Sequence, residues 1–140
     1  MSIPDVDRMK TLKIVFATDD GNSFMDRHFG DAKYFDLHVI GSDHAQFIRR
    51  IENSVSKKDE SHADGQKAFG IAGLFKADGI QVLVSKKFGA NINKMKTQFV
   101  CVLMNDGQIS KSVKTIQREY ERIVTEWNKG ETRHFINLKQ

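Results

Sequence analysis

The sequence predicts one α/β domain on a five-stranded mixed sheet, with its elements in the order βββαβαβα. Three observations lead there. Short apolar runs bounded by turn residues recur along the chain, the first three with no helical segment between them. The later runs alternate with stretches of helical period, which places antiparallel pairs on one side of the sheet and parallel pairs on the other. The bulk composition agrees, because 140 residues with 39% hydrophobic and 29% charged side chains suffice for one sizeable core.

Residues 1–10 read as a polar, loose leader. TLKIVFAT (11–18) is almost continuously apolar from Ile14 to Ala17, as suits a central strand buried on both faces. DDGNSFMDRH (19–28) is a turn-rich loop. KYFDLHVIG (33–41) alternates, with Phe35, Leu37 and Val39 on one face and Tyr34, Asp36 and His38 on the other. GSDH (41–44) has hairpin chemistry, and AQFIRRIENS (45–54) returns with Phe47 and Ile51 inward. After the polar loop 54–65, Ala68, Ile71, Ala72 and Phe75 mark one face of a helix that Gly79 can end. IQVLVS (80–85) is a strand, KKFG (86–89) a loop, ANINKMKT (90–97) a short helix and QFVCVLM (98–104) another strand.

The segment 110–130 reads as the longest helix, capped by Ser110 or Ser112, with Val113, Ile116, Tyr120, Ile123, Val124 and Trp127 as its buried stripe. The domain therefore spans 11–130. A tail, 131–140, remains, in which RHFINL offers a short edge strand. This element order is that of the ribonuclease H-like architecture, which by itself says little about function.

Several function classes are disfavoured. No apolar run approaches the roughly 20 residues of a membrane helix, and MSIPDVDRMK lacks the apolar core of a signal peptide. Cys101 is the only cysteine, so no internal disulfide forms and a cytoplasmic location is expected. The net charge of +4 is too mild for a nucleic-acid-binding tail but compatible with an anionic ligand. There is no phosphate-binding G-x-x-x-x-G-K-S/T loop, no G-x-G-x-x-G, and nothing that places Ser, His and Asp as a triad.

Ligands of open α/β sheets sit at the carboxyl ends of parallel strands. Two loops leave such ends, TDDGNSFMDRHFG and SKKFGANIN, and each holds a Phe-Gly pair. Gly30 and Gly89 allow close backbone approach, Lys86 and Lys87 add charge, and the helix opening near Asn91 offers N–H donors. His28 supplies an imidazole, a ready metal ligand, although turn shaping or packing is its commoner role. A cleft between 18–30 and 85–91 with these groups suits an anionic, metal-containing ligand better than a catalytic reaction. Asp19 and Asp20 read either as turn formers with Gly21 or as part of a metal-dependent nuclease, which would need further carboxylates such as Glu52 and Asp78. His38, His44 and His134 read as structural, and His62 as a solvated loop residue.

The stretch IVFATDDGNSFMDRHFGDAKYF resembles the opening of the dinitrogenase iron–molybdenum cofactor biosynthesis family, the NifX- and NafY-like proteins and the C-terminal domain of NifB. That opening is a strand, a T/S-D-D-G loop and H-F-G-x-A-x-x-F. It is matched here by Thr18, Asp19, Asp20 and Gly21, then His28, Phe29, Gly30, Ala32 and Phe35. FGIAGLF, VLVSKKFGANINKM and FVCVLM follow in order, so the resemblance covers about residues 11–125. It implies a ribonuclease H-like fold and a non-catalytic carrier or chaperone for an iron–sulfur cluster or the iron–molybdenum cofactor. It also implies a cluster donor or acceptor protein as partner.

By that resemblance His28 is the cofactor ligand, with His62 a candidate second one. The candidate cofactor-binding set is Thr18, Asp19, Asp20, Gly21, His28, Phe29, Gly30, Lys86, Lys87, Gly89 and Asn91. Clusters are usually held by several thiolates, and Cys101 lies in an apolar strand. The expectation is therefore a preformed cluster docked transiently by His28 and cations, or one whose ligands are shared between subunits. The alternatives are a metal-free interaction or regulatory module of the same fold, which binds no cofactor, and the nuclease.

Overall fold

The first strand, β1 (Leu12–Thr18), is buried at every position but Lys13, because both faces of the sheet are covered where it lies. The computed structural model describes residues 11–53, 64–90, 92–105 and 107–139, the side chains of 64–69 excepted. The leader 1–10, His62 with most of its loop, Asn91 and the side chain of Ala68 lie outside the described residues. β2 (Tyr34–Ile40) pairs antiparallel with β1, and β3 (Ala45–Glu52) antiparallel with β2. β4 (Val82–Ser85) pairs parallel with β1, and β5 (Val100–Leu103) parallel with β4.

The sheet has six strands, not the five expected, in the order β3-β2-β1-β4-β5-β6. The sixth, β6 (Ile136–Asn137), comes from the tail and pairs parallel with β5. Its Ile136 is buried, and the Leu138 N–H donates to the Leu103 carbonyl at 2.8 Å. Arg133 fixes the approach. Its guanidinium lies 4.2 Å from the Trp127 ring centroid and donates to the carbonyls of Trp127 and Thr97.

Helices α1 (Asp64–Ala77) and α2 (Ile92–Met95) cover one face, where Ile71, Phe75 and Met95 pack on Val15, Ala17, Phe35, Leu83 and Cys101. Gly79, at φ +71, takes the left-handed conformation just beyond the end of α1. Helices α3 (Ile109–Arg118) and α4 (Tyr120–Trp127) cover the other face, with Ile116, Tyr120 and Ile123 on Ile14, Phe16, Val82 and Val102. At roughly 25 cal/mol per Å² of apolar area removed from water, these two layers supply the main stabilisation.

The single helix expected over 110–130 is two. At Glu119 the backbone turns to φ −96, ψ 13, and its N–H is shared between the carbonyls of Thr115 and Ile116, a tightened turn. Neither serine caps α3. Gln108 precedes it in extended conformation, and buried Ser112 donates its hydroxyl to the Ile109 carbonyl instead.

Phe47 is not inward either. Ile48 is an extra residue opposite the Leu37/His38 step, and this bulge reverses the alternation along β3. Ile51 therefore faces the α1 layer, while Phe47, 52% exposed, turns to the other side against the His38 ring. Among the described residues no helix is long and apolar enough to cross a membrane.

Cys101 sits wholly inside the α1-side core, and burial pushes its thiol up to about 12. The native protein should therefore give no reaction with a chromogenic disulfide reagent at pH 8, and the full thiol signal after denaturation. Prompt reaction of the folded protein would contradict the burial.

Candidate functional site

Because β1 and β4 are parallel neighbours, the loops that follow them leave the same end of the sheet. They meet as a short parallel bridge between His28 and Lys87, closed by a 2.8 Å hydrogen bond from the Phe29 N–H to the Lys87 carbonyl. In extended backbone neighbouring side chains point to opposite sides. Phe29 and Phe88 accordingly go inward and stack, with centroids 5.2 Å apart and planes 17° from parallel. His28 and Lys87 stay exposed. Phe29 also meets Phe35 at 4.9 Å and Phe75 at 6.0 Å, so the loop is anchored in the core beneath it.

Gly89 carries the imidazole. At φ +75 it holds a conformation that a side chain resists. A Cβ there would stand 2.8 Å from His28 Nδ1, 3.1 Å from Cγ and 3.2 Å from Cε1. The Nδ1 edge of the ring thus rests on the glycine backbone, and Nε2 lies on the opposite edge. Beyond His28 the chain makes a one-turn 3₁₀ helix, Phe29–Asp31. Asn53 clamps this turn by donating its side-chain amide to the carbonyls of Gly30 at 2.9 Å and Ala32 at 2.8 Å.

Asp26, two residues before His28, meets Lys86 and Lys87 of the second loop. One Asp26 oxygen lies 3.3 Å from Lys87 Nζ and 3.8 Å from Lys86 Nζ. The hydrogen bond and charge of Lys87, with the charge of Lys86, hold the Asp26 carboxyl below its usual range.

The polar residues of the T-D-D-G segment bind chiefly one another. Thr18 Oγ1 donates to the Ser23 carbonyl at 2.6 Å and accepts the Gly21 N–H at 2.9 Å. Asp20 accepts the N–H groups of Ser23 at 3.0 Å and Asn22 at 2.8 Å, and these bonds draw its carboxyl down to about 2. Asp19 accepts from Arg27 at 2.7 Å and from the Lys33 N–H at 3.0 Å, while Arg27 also donates to the Asp31 carbonyl. Asp19 and Arg27 thereby tie the turn to the 3₁₀ helix that presents His28.

The structure brings His28, Phe29, Lys87 and Gly89 into direct contact, and Lys86 joins through Asp26. Gly30 stands in the clamped turn. Gly21 instead opens onto a separate groove of about 410 Å³, bordered by Asn22, His38, Gln108, Ile109 and Ser110. There His38 is a neutral-leaning imidazole, its pKa lowered by burial. Asn91 and His62 lie outside the described residues.

Three residues that shape the site escape a reading of the sequence. Asp26 and Arg27 left a signal, opposite charges directly before His28. Asn53 left none, because the carbonyls it holds are 23 and 21 residues away. Among the described residues no group of three or more His, Cys, Asp or Glu side chains is placed to hold a metal. The arrangement offers one imidazole and two ammonium groups.

The sequence profile of the family described as dinitrogenase iron-molybdenum cofactor matches residues 10–119. Among curated proteins, none gives a significant match. Among solved structures, the chain is similar to a crystal structure from Methanocaldococcus jannaschii, determined at 1.70 Å under the provisional description of a dinitrogenase. The two are 17% identical, with a TM-score of 0.56 over 79% of this chain and 91% of that one, a likeness of fold.

Two substitutions separate packing from presentation. Phe29→Ala removes a fully buried ring and should cost roughly 3–5 kcal/mol, read as a lowered denaturant midpoint. Gly89→Ala should cost about 1–2 kcal/mol for the left-handed backbone and also displace the imidazole, read as shifted His28 ring resonances in NMR. Unchanged ring resonances in a folded Gly89→Ala protein would contradict the contact.

Proposed function

The chain belongs to the dinitrogenase iron–molybdenum cofactor family, and we propose that it is a non-catalytic carrier that docks an anionic metal–sulfur cluster of the iron–sulfur or iron–molybdenum cofactor type. The observation that carries this reading is the exposed His28 imidazole, seated on Gly89 and bridged through backbone to Lys87, while the Lys86 and Lys87 ammonium groups converge on Asp26 two residues before it. A neutral imidazole nitrogen is a good metal ligand, and Nε2 lies on the edge away from the glycine. The ammonium groups offset the charge of an anionic cargo. A single protein ligand on an exposed ladder also favours handover, because transfer to an acceptor exchanges one bond rather than a chelate. The partner in this reading is a protein that donates or receives the cluster, and the working location is the cytoplasm.

Phe29, Gly30 and Gly89 act by fixing the imidazole, and Thr18, Asp19, Asp20 and Gly21 by shaping the loop that ends in it. The engagement of Asp19 and Asp20 in loop hydrogen bonds favours a carrier over a metal-dependent nuclease, which needs carboxylates free for two ions. The β3-β2-β1-β4-β5 order supports a ribonuclease H-like core.

His28→Ala provides the test. The residue is exposed, so the variant should keep its melting temperature, a surface change within about 0.5 kcal/mol. Its uptake of a preformed [4Fe–4S] cluster from an anaerobic, cluster-loaded donor protein, read by iron and sulfide analysis, should fall at least tenfold. Unchanged uptake by a folded His28→Ala protein would overturn the ligand assignment.

A further inference from the structure

The loop from 19 to 28 carries three acidic residues, and they do different work. Asp19 and Asp20 accept backbone N–H groups and build the loop. Asp26 does not share that work. Its partners are the side chains of Lys86 and Lys87, and it is 77% exposed. It stands two residues before His28, on the rim of the ladder that presents the imidazole. Arg27 is held by Asp19 and the Asp31 carbonyl, and among the described residues the cations paired with Asp26 are the two lysines.

We infer that Asp26 is a built-in counter-anion: it occupies the two lysines while the site is empty, an anionic cargo must displace it, and it thereby sets how readily cargo is released. The inference rests on the carrier reading above. Lys86 and Lys87 are 31% and 50% exposed, so their pairs with Asp26 are screened by solvent and worth little. Long flexible lysine stems can swing from one anion to another. The exchange replaces one carboxylate by a cargo of higher charge and leaves the Asp26 carboxylate beside that cargo as a repulsive neighbour. Release is helped when the lysines return to Asp26. A neutral side chain at this position removes both the competition and the repulsion.

The test uses the tetrathiomolybdate dianion as an anionic metal–sulfur probe, in anaerobic equilibrium dialysis with molybdenum analysis. The proteins are the full chain, Asp26→Asn, His28→Ala, the pair Lys86→Met and Lys87→Met, and that pair combined with Asp26→Asn. Asp26→Asn should bind about two- to fivefold more tightly than the parent, the scale of one exposed charge interaction. The gain should vanish in the background without the two lysines, because the effect passes through them.

Equal or weaker binding by Asp26→Asn, alongside a loss in His28→Ala, overturns the counter-anion while the carrier reading stands. A gain in Asp26→Asn with no loss in His28→Ala supports the counter-anion, and the imidazole ligand then stands or falls by the cluster uptake of His28→Ala. A gain that persists without the lysines overturns the proposed route. No binding by any of the proteins overturns both. Melting temperatures taken in parallel confirm that each variant is folded.

Discussion

The parallel pairing of β1 with β4 is the constraint from which the site follows. Ile14, Val15 and Phe16 stand beside Val82, Leu83 and Val84, so both strands deliver their chain to the same end of the sheet. Neither loop is long-lived as a recognition surface by itself, since an isolated turn has little apolar area to bury. Together they bury Phe29 against Phe88 and continue the sheet's pairing for one more bridge. The imidazole is then held by backbone on a rigid neighbour rather than by its own loop.

Rigidity here is inherited from the core. Phe29 belongs at once to the loop and to the aromatic cluster of Phe35, Phe75 and Phe88, and the β3 end reaches across through Asn53 to clamp the following turn. Interiors pack densely, so a ring fixed in such a cluster has little freedom to carry its neighbour away. The polar residues around Thr18 and Asp20 satisfy one another and hold the rest of the loop in shape. Around this fixed imidazole the Lys86 and Lys87 side chains stay partly open to solvent.

Much of this was legible in residue patterns. The continuous apolar run of β1 reflects burial on both faces, and the alternation of β2 separates the face of Phe35 and Leu37 from that of Asp36 and His38, although this second face is covered too. The two Phe-Gly pairs mark the loops that meet. What stayed hidden depended on contacts distant in sequence or on one-residue irregularities. β6 is the short edge strand that RHFINL offers, but it pairs through two residues only, too few to show its place in the sheet. The extra residue Ile48 changes parity in a strand whose composition does not announce it. The turn at Glu119 interrupts an apolar stripe that runs on across it. Asn53 acts on carbonyls far back in the chain, and the serines near 110 resemble caps although Ser112 is buried.

The bulge at Ile48 also bears on how the molecule behaves in company. A long, regular edge strand is a template that recruits strands from other chains, and cells contain many. This sheet has two margins. One ends in a two-residue strand, too brief to seed a ladder. The other, β3, is eight residues long but out of step in its middle, with Arg49 and Arg50 directly after the irregularity. An incoming strand would find a broken rhythm of donors and acceptors, and two arginines already paired with Asp78 and Asp36. The irregularity that turns Phe47 away from the α1-side core thus also discourages uncontrolled edge-to-edge aggregation.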